Sequence, residues 1–168
     1  MFYQEVGKRL GQFGLELEPT KTRVMEFGRF AVQHAKGRGK RAETFDFLGL
    51  THYCGTRKDG TGFRMKRVAA SKKFTAKLKA FKEWLKKART MKTKELWNID
   101  KAKLRGHYAY YGVTDNLSGI KRFGQEVKKL LFKWLNRRGK RGCLNWQKFG
   151  EMLERFPLPK PRITVRMF

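Results

Sequence analysis

Residues 105–112, Arg105-Gly-His-Tyr-Ala-Tyr-Tyr-Gly112, put an arginine, a histidine and three tyrosines in one short run between lysine-rich segments. At about 100° per residue, a helix through this run sets Leu104, Tyr108 and Tyr111 on the same side as Trp97. Lys103, Gly106, His107 and Tyr110 point elsewhere, and Gly106 leaves that surface thin. One face is expected to pack and the other to bind. The spacing predicts a helix over about Lys94 to Tyr111, stopped by Gly112.

Helical periodicity extends outward on both sides. Upstream, from Ser71, Phe74, Leu78, Phe81, Leu85 and Ala88 form one apolar stripe, while Lys72, Lys79 and Lys86 line the opposite side with Lys82 nearby. Downstream of Thr114-Asp-Asn-Leu-Ser118, a third helix turns Ile120, Phe123, Val127, Leu130, Leu131 and Trp134 inward and Arg122, Lys129 and Lys133 outward. Phe132 falls off that stripe, and either packs on a further helix or stacks on a base. Gly139-Lys-Arg-Gly142 turns the chain into a fourth helix, whose Trp146, Phe149, Leu153 and Phe156 share a face. Pro157, Pro159 and Pro161 then end it, and Leu158 to Arg162 is expected to be extended. That tail reads as a linker, with a proline-rich ligand for a partner domain as the alternative.

The first 70 residues follow another pattern. Phe2, Val6, Leu10 and Phe13 recur at helical spacing up to Gly14, and Leu15-Glu-Leu17 is a short extended piece before Pro19. Thr22 to Ala31 reads as a strand. Lys36-Gly-Arg-Gly-Lys-Arg41 reads as a flexible basic loop, since two glycines and four cations bury nothing. Phe45 to Cys54 and Phe63 to Val68 read as two strands joined through Lys58-Asp-Gly-Thr-Gly62, where Asp-Gly is a strong hairpin signal. The expected fold class is therefore α+β: a small antiparallel sheet with one helix over 1–70, then a mainly helical region of three to four helices over 71–156, then the extended tail over 157–168.

Charge narrows the partners. The 168 residues carry 41 Lys plus Arg against 14 Asp plus Glu, a net charge of +27. Residues 1–70 hold 14 basic and 7 acidic side chains, whereas residues 71–168 hold 27 and 7. Such an excess calls for a polyanion, because its self-repulsion opposes compaction until phosphates or salt neutralise it. A merely solvated lysine face and an anionic membrane surface are the competing readings. The aromatic content, with Trp84, Trp97, Trp134 and Trp146 in the basic half, exceeds what a disordered cationic tail needs. Helical spacing assigns most of these rings to the core and leaves a few for base stacking.

Other chemistries find little support. Cys54 and Cys143 have neither close partners nor metal-ligand spacing, so free thiols in a reducing compartment are expected. His52 and Cys54 face one side of a strand, yet two ligands do not make a zinc site. The absence of a long apolar segment predicts neither a signal peptide nor a spanning helix, and a cytoplasmic location. His107 either stacks on a base or touches a phosphate, or is a polar residue capping a nearby loop.

The 105–112 run resembles the maturase domain, also called domain X or the thumb, of bacterial group II intron reverse transcriptases. Phe13-Gly-Leu-Glu-Leu17, Lys21-Thr-Arg23 and Phe45-Asp-Phe-Leu-Gly-Leu50 resemble, in order, the end of the polymerase palm and its primer-grip turn. Leu130-Leu-Phe-Lys-Trp-Leu-Asn-Arg-Arg138 and Phe156-Pro-Leu-Pro-Lys-Pro-Arg-Ile163 resemble the last thumb helices and the exit from that domain. The resemblance implies two metal ions held by a Tyr-x-Asp-Asp box just before the opening helix. No such box is present, and Asp46, Asp59, Asp100 and Asp115 each stand alone. The expectation is a non-catalytic C-terminal portion of a reverse transcriptase, with no metal or cofactor of its own and Mg2+ confined to the absent palm site.

What the resemblance implies is a helical thumb gripping intron RNA during splicing and a template and primer duplex during copying. The primer grip falls on Phe47, Leu48 and Gly49, where glycine lets the backbone approach a primer end. The nucleic-acid-binding candidates are Lys36, Arg38, Lys40 and Arg41 in the first part and the ridge Lys72, Lys79, Lys82 and Lys86. To these are added Lys103, Arg105, His107 and Tyr110, then Arg122, Lys129 and Lys133, and last Arg137, Arg138, Lys140 and Arg141. Two alternatives stay open: a subunit completing a split reverse transcriptase with a palm and fingers polypeptide in trans, and a non-specific RNA chaperone.

Overall fold

A computed structural model describes residues 2–138 and 144–166. The elements run α1 (Phe2–Gly11), α2 (Ala31–Gly37), β1 (Thr44–Phe47), β2 (Leu50–Thr56), β3 (Phe63–Ala69), α3 (Ser71–Ala88), α4 (Thr93–Tyr111), α5 (Leu117–Asn136) and α6 (Trp146–Arg155). The fold is α+β, with a three-stranded antiparallel sheet in the order β1-β2-β3 and a helical C-terminal part. The expected boundary at residue 70 is not where the compact units divide. One unit comprises the residues up to Glu43 with Cys54–Arg64, and the other Thr44–Tyr53 with the residues from Met65 on. The β1-β2 hairpin therefore belongs with the helices, because Leu50 is part of their core.

In the first unit α1 buries no side chain, and Phe2 and Phe13 stay exposed. Thr22 to Ala31 is not a strand. Its first residues lack regular structure, and Gly28 at φ 145° breaks the extended run before α2 starts. Polar contacts tie it to α2 instead: the Glu26 carboxylate accepts from His34 Nδ1 and, at 2.5 Å, from Arg38. The Arg38 and His34 hydrogen bonds hold the Glu26 carboxyl below the usual carboxylate range. The expected basic loop is thus the end of α2 followed by a turn. The Lys58–Gly62 turn forms as read, with Arg57 N–H donating to Gly62 O at 2.9 Å and Gly60 at φ 75°.

Phe45 to Cys54 is a hairpin rather than one strand. Phe47 pairs with Leu50, and the two residues between them, Leu48 at φ 49° and Gly49 at φ 75°, are both left-handed. That combination is the type I′ turn that suits strand twist, although leucine is an uncommon occupant. Contacts in the second unit hold it there. Ala70 N–H donates to Gly49 O at 3.0 Å, and the Tyr110 hydroxyl donates to Leu48 O at 2.7 Å. A Cβ on Gly49 would come within 3.1 Å of the Tyr111 hydroxyl, so turn geometry and packing both ask for glycine there.

In the second unit α3 and α4 both pack on α5. Phe81 and Leu85 of α3, Trp97, Leu104, Tyr108 and Tyr111 of α4, and Ile120, Phe123, Val127 and Leu131 of α5 are buried together. Each large apolar side chain removed from water contributes roughly 1.5 to 3 kcal/mol before entropy is counted. Asn116 joins the layers. Its amide oxygen accepts from Ala69 N–H at 3.1 Å and its amide nitrogen donates to Tyr111 O at 2.8 Å. Asn145 caps α6 by accepting from Lys148 N–H at 2.8 Å. Phe132 packs, lying flat on Trp146 at 4.0 Å between centroids and edge-on to Phe149. Trp146 itself is 58% exposed, so only one of its faces is covered, contrary to the inward placement its spacing predicts.

Gly124 of α5 meets the side chain of Tyr108 of α4 with no room to spare: a Cβ there would lie 2.3 Å from the Tyr108 hydroxyl. Gly124→Ala is expected to destabilise the protein by about 1 to 3 kcal/mol through overpacking, although alanine favours a helix. Adding Tyr108→Phe removes the struck oxygen and should restore most of that loss. Urea unfolding of the two single variants and the double variant measures the coupling, and additive losses would place the hydroxyl away from Gly124.

The tail does not leave the domain as a linker. Trp97 Nε1 donates to Phe156 O at 2.6 Å, Thr164 N–H and Val165 N–H donate to Gly112 O at 2.7 and 3.1 Å, and Thr114 N–H returns a bond to Val165 O. Val113 and Val165 form a parallel bridge. These bonds satisfy carbonyls that a helix end leaves open. A Cβ on Gly112 would fall 2.8 Å from Arg162 O, so the close approach requires glycine. The turn at Gly139–Gly142, with Lys140 and Arg141, and the thiol of Cys143 lie outside the described residues.

Candidate nucleic-acid interface

The stripe that buries Phe81, Leu85 and Ala88 in α3 leaves Lys72, Lys79, Lys82 and Lys86 exposed on the other side of the helix. They recur along one side of α3 at intervals of seven, three and four residues, with the exposed Glu83 beside Lys79 and Lys86.

The second line lies on α4. Lys103, Gly106, His107 and Tyr110, spaced i, i+3, i+4 and i+7, form the edge of α4 that borders α3. Lys103 lies 4.9 Å from the Trp84 ring, and Lys77 of α3 lies 6.0 and 5.6 Å from the rings of Tyr110 and Tyr111. Tyr110 is 53% exposed, as its spacing predicts. Arg105 is also exposed, but stands about 200° around the helix from Lys103 and shares no surface with it.

His107 is a correction. It is 7% exposed and lies flat on Phe123, with ring centroids 3.6 Å apart and planes 13° apart. It belongs to the ring cluster below the basic edge, because α3 and α5 close over its side of α4. Burial, then the Lys77 charge, push its pKa down to about 4, and the ring is neutral at pH 7. Its Nδ1 is buried and has no hydrogen-bond partner among the described residues.

Sequence reasoning missed Asp100. It is 0% exposed among Trp97, Leu104 and Tyr108, and neither carboxylate oxygen has a hydrogen-bond partner among the described residues. Desolvation raises its pKa to about 7, with Lys103 opposing. Its position three residues after Trp97 and four before Leu104 is the signal that places it on the core stripe. Burial and then Asp100 push the Tyr108 hydroxyl up to about 12.

The remaining cations fall in separate places. Arg122 packs its guanidinium 5.3 Å over Phe74, Lys129 pairs with Glu126 at 2.8 Å, and Lys133 is exposed. Arg137 lies over Trp134 at 5.1 Å. Arg137 and Arg138 line a cleft of about 440 Å3 with Arg89 and Thr90, two residues not anticipated from sequence. Arg138 donates to Thr93 Oγ1 at 3.3 Å, its Nε and Nη2 have no partner among the described residues, and burial lowers its pKa. In the first unit Lys36, Lys40 and Arg41 are exposed, whereas Arg38 is held by Glu26. Phe47 and Leu48 project from the hairpin tip. Among the described residues no three carboxylate, imidazole or thiol groups come together, and His52 lies flat on Phe45 at 4.7 Å. No described helix is long and apolar enough to cross a membrane.

Comparison with protein-family models, curated proteins and solved structures finds no match to this chain.

Proposed function

We propose that this chain is the RNA-gripping thumb, or maturase, portion of a group II intron type of reverse transcriptase. The observation that carries the reading is the exposed Lys72, Lys79, Lys82 and Lys86 ridge on a helix whose other side is anchored in a packed core. Cations fixed at helical spacing follow a phosphate backbone and set affinity without reading sequence. The 105–112 run supports the finer assignment, since the α4 edge that carries its exposed Tyr110, together with Lys103, borders Lys77 of α3. The tip Phe47-Leu48-Gly49, held by Tyr110 of α4, is the part that would face a primer end. Splicing and copying then share one surface, which holds the folded intron or the template and primer duplex by shape and charge.

A competition assay tests the assignment. Labelled group II intron RNA bound to the purified chain should be displaced by unlabelled intron at far lower concentration than by tRNA. Equal displacement would replace the maturase reading with a non-specific RNA chaperone. Changing Lys72, Lys79 and Lys86 together to alanine is expected to weaken binding to every RNA. It should also reduce the slope of log affinity against log salt by about two units, at roughly 0.7 to 0.9 for each phosphate no longer neutralised. An unchanged slope would show that the ridge does not touch RNA.

A further inference from the structure

Because α3 and α4 lean on α5 side by side, an open groove of about 360 Å3 remains between them. Lys77 and Ala80 form one wall, Lys103 and Gly106 the other, and the floor is His107 stacked on Phe123. Both cations are seated on aromatic faces at the rim, Lys77 at Tyr111 and Lys103 at Trp84, which fixes where their charge is presented. Among the described residues no carboxylate lines the groove.

Gly106 bears on what the groove is for. A Cβ built there meets no atom of the described residues within 4 Å, whereas one on Gly119 or Gly124 of α5 would strike Asn116 or Tyr108. Packing explains the α5 glycines and does not explain this one, although a helix interior disfavours glycine. The effect of Gly106 is to keep the groove open. The floor is aromatic, since His107 is 7% exposed and one of its ring faces is covered by Phe123.

We infer that the groove receives a single unstacked RNA base, with the adjoining phosphate held by Lys77 and Lys103. A volume of about 360 Å3 suits a small ligand, since such pockets run from roughly 300 to 1,000 Å3. A planar aromatic body joined to one negative charge matches a ring floor with a two-lysine rim. Proteins that recognise RNA outside duplexes combine these elements in the same way. The inference rests on the RNA-binding reading and extends it from backbone charge to a particular feature, a nucleotide extruded from a helix.

The test uses two RNA hairpins that differ only by one bulged 2-aminopurine, titrated with the full chain. The bulged hairpin should bind on the order of tenfold tighter than the fully paired one, and its emission should fall as the base stacks. Gly106→Leu fills the groove, keeps every charge and substitutes a better helix former, so its melting temperature should equal or exceed the parent's. In that variant the preference and the quenching should vanish, the bulged hairpin binding no more tightly than the paired one. Equal affinity of the parent for both hairpins, or a preference that survives Gly106→Leu, overturns the inference and leaves the RNA-binding reading standing. Failure to bind either hairpin overturns both.

Discussion

Tyr108→Ala is expected to lower the unfolding free energy by about 3 to 5 kcal/mol. The ring is 4% exposed, packs against Gly124 and lies on the buried side of α4 with Leu104 and Tyr111. Removing it deletes a large apolar surface from the core and leaves a void that the α4 and α5 backbones cannot close. The void would open onto a cavity of about 330 Å3 bordered by Leu104, Gly124, Leu153 and Pro157, which water can enter. The loss should therefore fall in the lower part of that range. Tyr108→Phe keeps the ring and should cost far less. Urea unfolding separates the two, and a Tyr108→Ala midpoint equal to the parent's would remove Tyr108 from the core.

Asp100→Asn is expected to turn a nearly flat stability profile into one that rises between pH 4 and 6.5. Asp100 has a folded pKa of about 7 against 3.8 for the free group, so across that interval the native chain holds a proton that the unfolded chain has released. Its contribution is full below 3.8 and is lost as pH rises toward 7. His107 acts in the other direction. Its pKa of about 4 against 6.5 means that the unfolded chain takes up a proton the native ring refuses, and stability is lost as pH falls from 6.5 to 4. Each slope is about 1.4 kcal/mol per pH unit, and the two cancel where they overlap. Asp100→Asn leaves only the histidine slope, and at pH 8 the variant should exceed the parent by a few kcal/mol because no carboxylate ionises in the core. His107→Phe should leave the opposite slope, falling toward pH 7. Denaturant midpoints across pH for the parent and both variants decide it; a steep parent profile unaltered by Asp100→Asn would contradict the burial of that carboxylate.

The helical stripes were readable because burial on one face of a long helix repeats at a fixed period. Phe81 and Leu85, Leu104 and Tyr108, and Phe123, Val127 and Leu131 lie where that period puts them. Periodicity fails at the margin of a stripe. His107 sits at such an edge, and only the nearness of α3 and the ring of Phe123 decides that it is covered. Asp100 had the right spacing to be seen, but a carboxylate is read as solvated unless its neighbours are weighed against its charge. The Leu48-Gly49 turn was hidden because leucine rarely adopts a positive φ; contacts from Tyr110 and Ala70, distant in sequence, hold it there. Three prolines predict an extended tail and say nothing of where it lies, which depends on Gly112 and the open end of α4. The ridge lysines were legible as candidates from spacing alone, whereas the Arg89 and Thr90 side of the arginine cleft required tertiary proximity.

Lys77 neighbours both the groove and the aromatic pair that secures the hairpin: its ammonium faces Tyr110 and Tyr111, and Tyr110 holds the Leu48 carbonyl. A guest that draws this ammonium toward itself changes the electrostatic setting of the tyrosine gripping the turn. Thermodynamic linkage makes the influence mutual, so whatever settles on the turn must alter the guest's affinity by the same factor. Communication of this kind needs no hinge and no domain movement, only one cation shared between two occupants.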